Sequence, residues 1–186
     1  MKKRNILQHV FLGLGILASA SIMGLNLANA DTLKDINGNP VEYNKSYYLE
    51  PKDQPGKGIT HASWHLGSQW AYLDPNTRGL PIKIKPAISN NDVHVSENRL
   101  IDIQMQTTNL NHSYLRVSKN YNGIQLSQSS LELGAWRTQN ISNSRFVTFK
   151  NAYSNKYLNH QGINAWLDAT KSEQTVDTQW KLVPKN

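Results

Sequence analysis

Three tyrosine–leucine pairs, Tyr72-Leu73, Tyr114-Leu115 and Tyr157-Leu158, set a beat of about 42 residues along the chain. A fixed period of that size marks a fold built from repeated supersecondary units. Other positions keep time with it: Ile84, Leu126 and Leu167 follow the pairs, and Val95, Trp136 and Trp180 close the units. The flanking text, "SQWAYLDP", "NHSYLRVS" and "SNKYLNHQ", is turn-forming, then aromatic-aliphatic, then polar again. That alternation is strand chemistry, since successive side chains face opposite sides and a short polar turn reverses the chain. Three such units imply a closed, three-fold, all-β body.

Residues 1–30 read as a secretory signal peptide of bacterial type. Lys2, Lys3 and Arg4 precede an apolar run from Val10 to Leu27, and Ala28-Asn29-Ala30 offers a small-x-small cleavage site before Asp31. The expected product is a secreted or periplasmic chain of residues 31–186, one domain in size. Its net charge is then about +4, too mild for a nucleic-acid-binding surface. Cysteine is absent, which excludes disulfides, thiolate metal sites and cysteine nucleophiles. No segment beyond the leader is apolar enough to span a membrane.

Short strands separated by turns fill the remainder. "SYYLEP", "ITHASW…SQWAYL" around a turn near Gly67-Ser68, and "IKIKP" belong to the first unit, expected at about 46–98. Units at about 99–140 and 141–186 repeat the pattern, with single helical turns conceivable at "SSLEL" and "TKSEQT". About four strands per unit make about twelve, the count of a β-trefoil: a six-stranded barrel capped by three hairpins.

Two resemblances sharpen that expectation. Leu33, Asp35, Asn37, Gly38, Asn39, Pro40, Val41, Tyr47, Tyr48 and Leu49 resemble the opening signature of the Kunitz-type (soybean trypsin inhibitor) family. "GLPIKI" (79–84) and "VSENRLIDIQM" (95–105) extend it, although the family's usual disulfides are missing. The stretch 154–184 resembles the repeat of ricin-B-type lectins and toxin-associated haemagglutinins. It runs from a turn and Tyr-Leu through a Gly-containing turn to Gln179-Trp180. The aspartate that follows the leucine in that family occurs here only as Asp74, with Arg116 and Asn159 in the other units.

Catalysis has no foothold: there is no nucleophile elbow, P-loop or dinucleotide-binding glycine motif. His61 and His65 share a strand face but lie too far apart to chelate one ion, and Asp74, Asp92, Asp102, Asp168 and Asp177 are scattered as turn caps. A non-enzymatic binding protein without metal or cofactor is expected. A pyranose needs an aromatic plane and planar hydrogen-bonding groups. The third unit offers Trp166 with Asn159, Asn164, Asp168 and Gln179; the first offers Trp70, Asp74 and Asn76; the second offers Tyr121 with Asn120, Asn122 and Gln125. If Leu167 faces the core, Trp166 must face outward, whereas Trp136 and Trp180 read as core. The first expectation is therefore a lectin for glycans or a glycosylated receptor, of the kind found in bacterial toxin systems. The alternative partner is a protease. The Kunitz-type resemblance places an inhibitory loop at 85–92, carried by Lys85, Pro86, Ala87, Ile88, Ser89 and Asn90, with Ile88-Ser89 near the scissile position.

Overall fold

The computed structural model describes residues 31–64, 67–108, 110–111, 113–128 and 134–186. Residues 1–30, expected as a leader, His65, and "SSLEL", expected as a helical turn, lie outside the described residues. Twelve strands are present among them. They are β1 (Ser46–Pro51), β2 (Ile59–Trp64), β3 (Ser68–Leu73), β4 (Ile82–Pro86), β5 (Leu100–Met105) and β6 (Tyr114–Val117). Then come β7 (Ile124–Ser127), β8 (Trp136–Asn140), β9 (Val147–Asn151), β10 (Tyr157–His160), β11 (Leu167–Lys171) and β12 (Trp180–Pro184). One 3-10 turn, Val176–Thr178, lies just beyond the stretch expected to form a helical turn in the third unit.

Six strands close a ring. β1 pairs with β4, β4 with β5, β5 with β8, β8 with β9, β9 with β12, and β12 returns to β1, all antiparallel. Closure leaves the barrel without an exposed edge. The other six strands form hairpins β2–β3, β6–β7 and β10–β11. The hairpins meet one another through the pairs Trp70↔Gln125, Gly123↔Asp168 and Tyr72↔Trp166, which tie β3 to β7, β7 to β11 and β11's start to β3. A triangular cap with pseudo-three-fold symmetry results, the expected trefoil plan.

Alternation fills the barrel. Tyr47, Ile101 and Val147 occupy equivalent ladder positions opposite Ile82, Trp136 and Trp180, and all six are buried. Both tryptophans are fully enclosed, and each indole N–H finds a carbonyl of its own unit: Trp136 Nε1 donates to Leu115 O at 3.1 Å and Trp180 Nε1 to Leu158 O at 3.0 Å. The same contact in two units is the physical form of the repeat.

The first unit departs in detail. Its Tyr72-Leu73 lies on β3, whereas Tyr114-Leu115 and Tyr157-Leu158 lie on β6 and β10. Ile84 lies on β4, while Leu126 and Leu167 lie on β7 and β11. Val95 sits beyond β4, buried in the ladder made with the lead-in segment, where Val95 N donates to Val41 O and Leu33 N to Val95 O. The cause is a longer connection: residues 87–99 join β4 to β5, whereas only 141–146 join β8 to β9, so the step from Ile82 to Trp136 exceeds the step from Trp136 to Trp180. Separately, β2 and β3 have six residues each, against four in β6 and β7, and that extra reach makes the cap asymmetric.

Candidate functional site

The long hairpin β2–β3 pairs Thr60 with Tyr72, Ala62 with Trp70 and Trp64 with Ser68. Cross-strand partners share a face, so Trp64, Trp70 and Tyr72 lie on one side of it, against the other two hairpins. Trp70 is buried and forms the floor. It rests on Gly123, where a Cβ would stand 2.8 Å from the Trp70 ring. Trp64 stands over it edge-to-face, with centroids 4.9 Å apart. Tyr121, in the turn after β6, meets Trp64 at 5.5 Å and Trp70 at 5.9 Å. Trp166, just before β11, lies 6.1 Å from Trp64 at a tilt of 36° and is backed by Tyr72 at 5.6 Å.

These rings belong to all three units and line one cleft of about 400 Å³, completed by Gly123, Gln161, Ala165, Leu167 and Asp168. Trp64, Tyr121 and Trp166 are 41%, 49% and 36% exposed, far above the fully buried Leu167 beside Trp166. The alternation argument thus places Trp166 correctly. At the polar end, Gln161 Nε2 donates to Asp168 Oδ2 at 2.7 Å and Thr170 Oγ1 donates to Asp168 Oδ1 at 2.9 Å. Two neutral donors orient the carboxylate while each oxygen keeps acceptor capacity.

The other sequence candidates fall elsewhere. Asn159 is fully buried beneath the β10–β11 bulge, its Oδ1 accepting from Thr170 N at 3.3 Å. Asn164 adopts a left-handed backbone (φ 59°) and anchors the turn by donating its N–H to Leu73 O. Gln179 Oε1 is taken by Lys52 Nζ at 2.8 Å. Gln125 Oε1 accepts from Arg116 Nη2, Asn122 O accepts from Ala169 N, and Asn120 is exposed in the turn before Tyr121. His61 Nδ1 lies 2.9 Å from Gln69 Oε1, and no group of three metal-ligating side chains occurs among the described residues. No helix of the described residues is long and apolar enough to cross a membrane.

Asp74 and Asn76 form a turn and do not line the aromatic cleft. Asp74 Oδ1 accepts from Asn76 N at 2.7 Å and Thr77 N at 3.0 Å, and Oδ2 accepts from Thr77 Oγ1 at 2.9 Å. Partial burial pushes its carboxyl up, but these three donors outweigh it and hold the pKa below the ordinary value. A depressed folded pKa contributes stability that is present above the unfolded value, about 3.9, and is lost as pH falls through the folded one. Asp74→Asn is therefore expected to flatten the acid limb of stability below about pH 4, as read from urea midpoints across pH. An unchanged limb would show that the turn does not depend on the charge.

The loop expected at 85–92 divides in two. Lys85 and Pro86 belong to β4 and pair with Asp102 and Ile101 of β5, and Lys85 Nζ donates to Asn44 Oδ1 at 3.0 Å. Ala87 N closes the ladder on Leu100 O. Only 88–92 stand free of the sheet: Ile88 is 69% exposed, Ser89 and Asn90 are exposed, and Asn90 Oδ1 accepts from Asp92 N. Arg99 Nη2 holds Asp92 Oδ2 at 3.3 Å.

Sequence reasoning did not pick out Trp64, Gln161 or Gly123. A signal for Trp64 existed: it and Trp70 flank the turn near Gly67-Ser68, and the register that pairs Trp64 with Ser68 and Ala62 with Trp70 sets the two rings diagonally on one face.

No protein-family model matches the chain. A stretch of 59 residues is 50% identical to botulinum neurotoxin type X of Clostridium botulinum; it makes up 31% of this chain and 4% of that protein. Solved structures extend the likeness across the fold. The binding domain of Paraclostridial Mosquitocidal Protein 1 superposes with a TM-score of 0.70 at 16% identity, over 85% of this chain and 45% of that one. Soybean trypsin inhibitor gives 0.67 at 12% identity, over 84% and 100%. The water-soluble chlorophyll protein of Brassica oleracea gives 0.69 at 16%, over 84% and 99%. Likeness at such identities is a likeness of architecture, and with the closed barrel and three-hairpin cap it fixes the fold class: the chain is a β-trefoil, similar in fold both to Kunitz-type inhibitors and to the binding domain of a clostridial toxin-like protein.

Proposed function

We propose that this protein is a secreted, non-enzymatic β-trefoil that binds glycans on a cell surface or glycosylated receptor through the cleft on its hairpin cap. The observation that carries the reading is the meeting of Trp64, Tyr121 and Trp166 beside the oriented Asp168–Gln161 pair. Rings packed 5–6 Å apart touch one another and form a platform rather than two separated walls. A platform suits the apolar face of a sugar, whose hydroxyls then reach the carboxylate and amide at its edge. The fold shared with a toxin-like binding domain supports a binding role of this kind.

A glycan-array screen of residues 31–186, with Trp166→Ala and Trp64→Ala alongside, tests the proposal. Specific binding should appear for the parent and fall roughly tenfold or more in each variant, the loss of about 1.4 kcal/mol expected when an aromatic contact is removed. Urea midpoints should stay close to the parent's, because both rings are partly exposed. A blank array for the parent sinks the reading.

A second reading rests on Ile88. It is the most exposed aliphatic side chain of the β4–β5 loop, and that loop is tied at both ends by Ala87–Leu100 and Asp92–Arg99. A pre-shaped loop loses little entropy on docking to a protease. An inhibition panel with Ile88→Asp reads that role separately, since Ile88 does not line the aromatic cleft.

A further inference from the structure

Among the described residues lining the cleft, Asp168 carries the only formal charge, and no lysine, arginine or histidine accompanies it. Its two hydrogen-bond donors, the Gln161 amide and the Thr170 hydroxyl, are neutral, so they orient the carboxylate without cancelling its charge. The rest of the lining is dominated by indole and phenol rings, whose faces carry negative electrostatic potential. An aromatic platform ending in an uncancelled carboxylate is a poor host for an anion and a good one for a cation. An ammonium placed there gains cation–π attraction from the rings and a charge-assisted hydrogen bond from Asp168.

Resting on the glycan-binding reading, we propose that the cleft selects amino sugars: hexosamines whose nitrogen is a free ammonium rather than an acetamide. The ring's apolar face lies on Trp64 and Trp166, and the ammonium reaches Asp168. Sialylated and sulfated glycans are rejected, because their negative charge meets Asp168 with no cation among the described residues of the lining. The site is also composite. Trp64 comes from the first unit, Tyr121 from the second, and Trp166 and Asp168 from the third, so each chain holds one such site rather than one per repeat. Non-specific attraction cannot imitate this preference, since the chain is net basic and repels polyamines.

The test is isothermal titration of the protein with three trisaccharides: the fully deacetylated glucosamine trimer, its fully N-acetylated form and cellotriose. Titrations are run at pH 6 and pH 9, with tetramethylammonium and phosphocholine as non-sugar cations. The amine trimer should bind at one site per chain and about tenfold more tightly than either neutral trimer at pH 6, the size of one charge-assisted hydrogen bond. At pH 9 the advantage should vanish, because an amine with a pKa near 8 is then neutral. Asp168→Asn should bring the three trimers to parity while weak binding to the platform persists, and Trp64→Ala should weaken all three.

Parity in the parent protein, or an amine preference that survives Asp168→Asn, overturns the amino-sugar proposal while leaving the glycan reading standing if the array is positive. Silence from all three trimers together with a blank array removes both. Binding of the quaternary ammonium probes without binding of the amine trimer also overturns the proposal, by assigning the cleft to a cation that is not a sugar.

Discussion

Replacing Trp180 with alanine is expected to leave the chain unable to hold its fold at ordinary temperature. The indole is fully buried at the β9–β12 junction of the barrel, donates to Leu158 O at 3.0 Å and stands edge-on to His160 at 5.8 Å. Emptying a site of that size costs about 3–5 kcal/mol. The Leu158 carbonyl, left in the interior without its donor, costs about 1–3 kcal/mol more. A single domain commands only about 5–15 kcal/mol in all. Trp136→Ala repeats the argument in the second unit, through Leu115 O. Trp180→Phe separates the two terms, because it keeps most of the volume and loses the N–H; its cost should lie well below that of alanine. Urea unfolding followed by circular dichroism reads all three. An alanine variant with a midpoint near the parent's would contradict the claim that these tryptophans anchor the barrel.

The same tryptophans mark how far the sequence could be read. Trp136 and Trp180 stand at equivalent places because units two and three carry hairpins of similar length, so sequence spacing maps onto strand position. The first unit does not obey, because the longer β4–β5 connection (87–99) sets it further from the second than the sequence beat, so residues in step with the other pairs fall one strand later. Tyr72-Leu73 therefore matches the other pairs in sequence but not in ladder position. Strand number and closure survive such a shift, since each strand is still an alternating segment between turns.

The site was legible only where local rules suffice. Alternation about Leu167 exposes Trp166, and that is a matter of one peptide unit. Which polar groups accompany it is decided by neighbours distant in sequence. Asn159 adjoins Asp168 across the ladder, yet it is fully buried with its Oδ1 taken by Thr170 N, while Asp168 stays at the cleft. Gln179 lies one residue from Trp180 and is drawn to Lys52. Asp74 fits the lectin pattern by type and position, but three local donors turn it into a cap. The longer β2–β3 hairpin builds the cleft, because its extra length carries Trp64 onto Tyr121 and Trp166. The hairpin that departs most from the other two is thus the one that forms the aromatic cleft.

Gly123→Ala is expected to dismantle that surface without touching any exposed ring. The added Cβ would lie 2.8 Å from Trp70 Cζ3 and 3.1 Å from Cε3, closer than such atoms can stand, and the glycine backbone is paired to Asp168 across the cap. Trp70 must move. It has little room, since Trp64 and Tyr121 press on it edge-to-face at 4.9 and 5.9 Å. Overpacking of this kind costs about 1–3 kcal/mol, and the displacement passes directly to the two rings that build the platform. Binding that depends on the cleft should therefore be lost in a protein that remains folded, with a lowered melting temperature and an altered near-ultraviolet tryptophan signal. The clash lies with the benzo portion of the Trp70 indole, so Trp70→Phe in the Gly123→Ala background should recover stability that Trp70→Phe alone does not provide. A double-mutant cycle measures that coupling, and contacting residues of this kind are expected to give about 0.5–3 kcal/mol. Additive effects, or full ligand affinity in Gly123→Ala, would mean that Trp70 is not the floor that holds Trp64 and Tyr121 in place.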